Sequence, residues 1–148
     1  MMKDVLSIEE AQNKFAEFLT KHKYKKTPER FAILDCLYNN EGHFDVEALY
    51  AMLIGHYRVS RATIYNNLQL LIDSNLITRM VLHNQIAYYE RATITPHHHL
   101  ICKKCGCITN IPDQGLHNTL RTWKTKNFRM EMVSLQLYGK CKRCKQTK

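Results

Sequence analysis

Apolar residues recur at helical spacing through the first half of the chain and at strand-like spacing later, and this change of period divides the sequence. From Ile8 to Lys23, Ile8, Ala11, Phe15, Phe18 and Leu19 fall on one side of a helix whose opposite side is polar. In YKKTPERFAILDCLYNN, Thr27 suits a cap and Pro28 the first helical position, with Phe31, Ile33, Leu34 and Leu37 as the buried side. Asn39-Asn40-Glu41-Gly42 breaks the pattern. Asp45 then caps a third helix from Val46 to about Ile54, with Leu49, Tyr50 and Leu53 inward. Ser60 caps a fourth, with the stripe Ala62, Ile64, Leu68, Leu71 and Ile72.

Two helices joined by a short turn, the second opened by serine, form the pattern of a helix-turn-helix. Any small helical bundle shows the same apolar stripes; the outward face is what separates the two. Arg61, Thr63, Tyr65, Asn66 and Gln69 can all donate or accept at base edges and phosphates, where an idle helix carries mostly Glu and Lys. TRMVLHNQIAYYER follows, reading as two short strands around His83-Asn84, in the place of a wing. RATITP (91–96) reads as a linker. Beyond it LICKKCGCITNI is strand-like, Asp113 to Asn127 has helical spacing through Leu116, Leu120 and Trp123, and FRMEMVSLQLYG alternates through Met130, Met132 or Val133, Leu135 and Leu137. The fold class predicted is α+β: a winged helix-turn-helix over 1–90, the linker 91–96, and a small α/β unit over 97–148.

Composition adds a partner. The 148 residues carry 22 Lys and Arg against 13 Asp and Glu, a formal +9, which favours a polyanion and nucleic acid before a membrane surface. No apolar run is long enough to span a bilayer. The opening MMKDVLSIEEAQ has no apolar core, so it does not read as a secretory signal, and a cytoplasmic protein is expected. In a reducing compartment, paired cysteines are more often metal ligands than disulfides.

Cys102-x-x-Cys105 and Cys141-x-x-Cys144 are two hooks, each placing two sulfurs on one tight turn. Together they make a tetrahedral thiolate cage suited to zinc at about 2.3 Å per Zn–S bond. Such a site is closed to substrate and therefore structural, a staple for a half-chain with a thin core. The rival is a dithiol redox switch. Cys107 reads as a spare beside the first hook, and Cys36, inside an amphipathic helix, as a small apolar residue. Just before the first hook stand His97, His98 and His99. On a strand His97 and His99 share a face and His98 takes the other. His97 and His99, with Glu90 and His43, are candidates for a second metal clamped across the linker, against the alternative of an adventitious exposed cluster.

TPER at 27–30, GHFDVEALY at 42–50, SRATIYNNL at 60–68, HHHLICKKCG at 97–106 and LYGKCKRC at 137–144 together resemble the ferric uptake regulator family of metal- and peroxide-responsive repressors, over essentially the whole chain. The resemblance implies a winged-helix DNA-binding domain, an α/β dimerisation domain, and a homodimer that metal closes onto a palindromic double-stranded operator. It places structural Zn²⁺ on Cys102, Cys105, Cys141 and Cys144. The regulatory ion falls on His43, Glu90, His97 and His99, with Asn110 where relatives usually have an acid. An amide oxygen can coordinate but brings no charge. A further family site would fall on Pro96, His98, His117 and Val133; Pro and Val cannot ligate, so it is expected to be absent or weak, His117 leaving room for weak zinc.

Imidazole and carboxylate ligands suit Fe²⁺, Mn²⁺ or Zn²⁺. The sensory set lacks the thiolate of the family's zinc regulators and the aspartates of its peroxide sensors, so an iron-responsive repressor is the expected function. YNNL in the recognition helix resembles the peroxide-sensing branch, so peroxide- or manganese/zinc-responsive regulation is the alternative. A zinc-ribbon nucleic-acid module, or a zinc hydrolase or redox protein, stands further off. HHHLICKKC lacks the glutamate spacing of a zinc deaminase, and no enzyme activity is expected. The expected DNA contacts are Lys25, Lys26 and Arg30 on the backbone, and Ser60, Arg61, Thr63, Tyr65 and Asn66 in the major groove.

Overall fold

The computed structural model describes residues 4–123, 125–130 and 133–145, and the chain divides into two compact units, 1–93 and 94–148. In the first unit, Ser7 and Glu10 open α1 (Ile8–Lys21) reciprocally. The Glu10 N–H donates to Ser7 Oγ at 3.2 Å, and the Ser7 N–H to Glu10 Oε2 at 2.6 Å. The helix stops two residues before the stripe suggested, where Lys23 turns to φ 59. Pro28 starts α2 (Pro28–Asn39) as expected, but Thr27 makes no side-chain cap bond. Asp45 caps α3 (Val46–Leu53) through the Ala48 N–H at 2.8 Å, and Ser60 caps α4 (Arg61–Asp73) through the Thr63 N–H at 3.1 Å.

Stripes from all four helices meet in one core. Phe15, Leu19, Ile33, Leu34, Leu37, Leu49, Leu53, Ile64, Leu68 and Leu71 are essentially sealed from solvent, each such burial contributing about 1.5–3 kcal/mol. Ala62, predicted inward, is exposed, and Asn67 takes a buried place instead, its amide donating to the Thr63 carbonyl at 2.7 Å. Burial also pushes the Tyr38 phenol up to about 12, and its O–H donates to the Leu76 carbonyl at 2.8 Å. The hairpin β1 (Ile77–Val81) and β2 (Ala87–Arg91) pairs antiparallel, Met80 opposite Tyr88, with His83-Asn84 in its turn. Phe44, just before α3, exchanges two backbone hydrogen bonds with Tyr89, tying this wing to the helices.

The second unit departs further from the sequence pattern. The run read as one strand-like segment is a hairpin: β3 (His97–Cys102) pairs antiparallel with β4 (Ile108–Pro112), and Gly106 takes φ 73 in the turn. β5 (Gln136–Gly139) adds parallel to β3, giving the order β4-β3-β5. Between them α5 covers only Leu116–Arg121, not 113–127, and Trp123 stays 63% exposed. A helix this short needs its stripe covered, and among the described residues nothing buries Trp123. The alternation expected from Met130 to Leu137 is strand only from Gln136; Met132 lies outside the described residues. A last turn, α6 (Lys142–Lys145), carries Cys144. No helix among the described residues is long and apolar enough to cross a membrane.

Candidate metal centres and nucleic-acid interface

The end of β3 and the segment after β5 bring the two hooks together. The Sγ atoms of Cys102, Cys105, Cys141 and Cys144 all lie within 4.8 Å of one another, with Cys105 and Cys141 at 3.7 Å. Backbone geometry prepares this. Lys103 N–H donates to the Gly139 carbonyl at 2.8 Å, so the parallel pairing continues into the first hook, and Cys141 N–H donates to Cys102 Sγ at 3.3 Å. That N–H, with those of Cys105 and Lys104, pulls the Cys102 thiol down to about 5 against the opposing effect of burial. Cys141 is also lowered, first by the Cys144 N–H. Cys144 is pushed up to about 12, first by its contact with the Cys141 sulfur. Four crowded sulfurs cannot all ionise unaided, and a divalent cation removes that conflict; the donor set fits zinc. Cys107, expected as a spare, lies beside the cage: contacts with Cys105 and then burial raise its thiol to about 12.

The regulatory candidates fall in two groups. In the first unit, His43 Nε2 lies 3.0 Å from Glu90 Oε2, with side chains only 6% and 10% exposed. Glu90 comes from β2, and the Phe44–Tyr89 bridge beside both residues sets the distance. In the second unit, His97 and His99 share a face of β3, ring centroids 5.0 Å apart. Asn110 on β4 stands directly opposite His99, so its amide belongs to that face. His98 takes the other face and approaches Asp113, Nε2 to Oδ1 at 3.2 Å. Burial opposes ionisation of Asp113, but the His117 N–H, donating to both its oxygens at 3.0 Å, and His98 hold the carboxyl below its usual range. Sequence reasoning missed Asp113. Its only local signal was an acid ahead of a helical stripe.

Among the DNA candidates, Lys25 and Lys26 are exposed before α2. The Arg30 guanidinium stands 5.6 Å from the Tyr24 ring centroid. On α4, Arg61, Tyr65 and Asn66 are exposed, Tyr65 at 54%, and the hydroxyls of Ser60 and Thr63 are 2.9 Å apart at the helix start. Arg61 is already engaged, donating from Nε and Nη2 to the two carboxylate oxygens of Glu47. Glu47 carried no signal in the sequence.

A profile of the Ferric uptake regulator family matches residues 21–138. The chain belongs to the ferric uptake regulator family. It is thus one of a family of dimeric, metal-responsive, DNA-binding transcription regulators. It is 31% identical over 120 residues to the peroxide operon regulator of Bacillus subtilis, covering 80% of this chain and 82% of that one. It is 28% identical over 148 residues to the ferric uptake regulation protein of Campylobacter upsaliensis, covering 97% and 95%. The fold matches the Helicobacter pylori ferric uptake regulator at a TM-score of 0.84, with 21% identity over 99% of both chains. The iron-containing regulator of Francisella tularensis matches at 0.73, with 27% identity over 83% of this chain and 96% of that one. The helices of the first unit and the small sheet of the second are the α+β architecture of this family.

Proposed function

We propose that this family member is an iron(II)-responsive repressor that binds a palindromic operator as a homodimer. The observation that carries the reading is the His43–Glu90 pair, a buried imidazole nitrogen 3.0 Å from a buried carboxylate oxygen. A buried pair of this kind presents one N and one O donor, stripped of water, to an ion. His97, His99 and Asn110, gathered on one face of the second sheet, supply the remaining donors. Three imidazoles, one carboxylate and one amide, with no thiolate, suit Fe²⁺, with Mn²⁺ and Zn²⁺ as competitors. An ion held by these donors makes the operator geometry that the dimer can span depend on metal occupancy.

The four-cysteine cage holds Zn²⁺ as a structural element. Lys25, Lys26 and Arg30 grip phosphates, while α4 enters the major groove with Ser60, Arg61, Thr63, Tyr65 and Asn66 foremost. The half-exposed Leu100 and Leu137 on the second sheet offer apolar surface for a second copy to cover.

The test pairs His97→Ala with His99→Ala in one protein. Fluorescence anisotropy on duplex DNA selected from a random pool should show wild-type binding tightened most by Fe²⁺, less by Mn²⁺ or Zn²⁺. The variant should keep its zinc and its dimer yet lose the metal response. A variant that still responds removes these histidines from the sensory site.

Peroxide sensing is the second reading, favoured by SRATIYNNL and by the similarity to the Bacillus subtilis peroxide operon regulator. It predicts that hydrogen peroxide releases DNA from the Fe²⁺-loaded protein and leaves an added oxygen on the peptide carrying His97–His99. Release without that mass, or no release, leaves iron sensing.

A further inference from the structure

Glu47 on α3 and Arg61 at the first position of α4 form a contact the family reading does not require. Arg61 Nε donates to Glu47 Oε1 at 2.6 Å and Nη2 to Oε2 at 2.7 Å, a side-on fork. The guanidinium lies over the Tyr50 ring, Cζ 4.2 Å from its centroid, and Tyr50 stands one turn beyond Glu47 on the same helix. Carboxylate and ring hold the long arginine side chain from its edge and from one face. An exposed ion pair adds little to stability, and this one is exposed, at 52% and 64%. Its effect is to fix a direction.

That direction selects a partner. The fork consumes the Nε–H and one Nη2–H of Arg61, and Tyr50 adds a hydrogen-bonding contact to the guanidinium; the end-on edge, turned away from Glu47, is formed by the Nη1–H groups and the second Nη2–H. Guanine presents O6 and N7 side by side in the major groove, the acceptor pair an end-on guanidinium matches. The fork keeps both partners ionised: the hydrogen bond from Arg61 lowers the Glu47 carboxyl, and that to Glu47 raises Arg61. The pair is therefore electrically neutral as a unit, and Glu47 cancels the attraction Arg61 would otherwise have for any phosphate. Arg61 and Tyr65, one turn apart, are both exposed on the helix proposed above to read DNA.

We propose that Glu47 is a positioning residue that converts Arg61 from a general phosphate contact into a guanine reader, an inference resting on the DNA-binding reading of α4. The test selects duplexes from a random pool with the full-length, metal-loaded wild type, Glu47→Gln and Arg61→Ala. The wild type should prefer guanine at one position of each half-site by about 5- to 150-fold. Both variants should lose that preference at the same position and keep the others. Glu47→Gln should also bind unselected duplex more tightly and with a steeper salt dependence, because one carboxylate facing the phosphates has gone. Both side chains are exposed, so the variants should fold, which zinc content and circular dichroism check. Guanine retained in Glu47→Gln, or lost at different positions in the two variants, overturns the proposal. So does a lowered melting temperature with unchanged base preference, the mark of a helix-to-helix tie. A wild type that enriches no sequence overturns the DNA-binding reading together with it.

Discussion

Residues 4–93 and 94–145 are held together by different means. Every member of the buried apolar cluster lies between Ala11 and Tyr89. Beyond residue 93 the buried apolar residues among those described are Ile101 and Cys102 alone, with His98 and His99 as buried polar neighbours. The first unit is stabilised by area removed from water, which is spread over many side chains and survives small losses. The second has three short strands, helices of six and four residues, and a cluster of thiols. A fold with so little to bury depends on a few strong, localised bonds.

Removing the cage metal attacks this contrast most directly. Structural zinc supplies roughly 10–16 kcal/mol of folding free energy in small zinc domains at neutral pH. Cys141→Ser, or chelation of the wild type, should therefore expose the amides of 94–145 while those of α1 to α4 stay protected. Hydrogen–deuterium exchange read by mass spectrometry resolves the two. Simultaneous loss in both units, or protection of β3 without metal, ends the distinction.

The converse experiment is smaller. Leu68 is 1% exposed at the centre of α4. Leu68→Ala should cost about 2–5 kcal/mol in the first unit, by lost transfer energy and a residual cavity. Zinc content, measured by elemental analysis, should not change; denaturant titration gives the energy. A drop in bound zinc would show that the two units share their stability.

The smallest effect is expected at Asp113. Its carboxyl is held below the ordinary range, so the ionised form stabilises the native state. That contribution is fully present above the unfolded value of about 3.9 and is lost as pH falls through the depressed native value. Asp113→Asn should melt a few degrees lower than wild type near neutrality, and the two curves should converge in acid below that value. A constant gap across pH would assign the bond to packing.

The same contrast explains what the sequence made legible. The four helices of the first unit announce themselves because an apolar stripe of period 3.6 coincides with caps such as Asp45 and Ser60, so local and tertiary preferences agree. The hooks were legible because both ligands of each lie within four residues. Neighbours on different elements leave no such trace. Glu47 and Arg61 are 14 residues apart, and His98 and Asp113 are 15 apart. His43 and Glu90 were joined only as candidates, completed by the family resemblance. The β3–β4 hairpin was hidden because the first hook runs from Cys102 at the end of β3 to Cys105 in the turn, where no Gly-Asn or Asp-Gly pair marks a reversal. The helix pattern running to Asn127 failed because spacing alone cannot cover Trp123.

The parallel pairing of β3 with β5 has a consequence for how this half of the chain tolerates evolutionary change. Cys105 and Cys141, 36 residues apart, close one large ring through the cage. Forming a ring of that length costs on the order of 4 kcal/mol of chain entropy, but doubling it adds only about 0.6 kcal/mol. The stretch between α5 and β5 can therefore gain or lose residues at little thermodynamic expense, while the two hooks and the strands that present them cannot shift register at all.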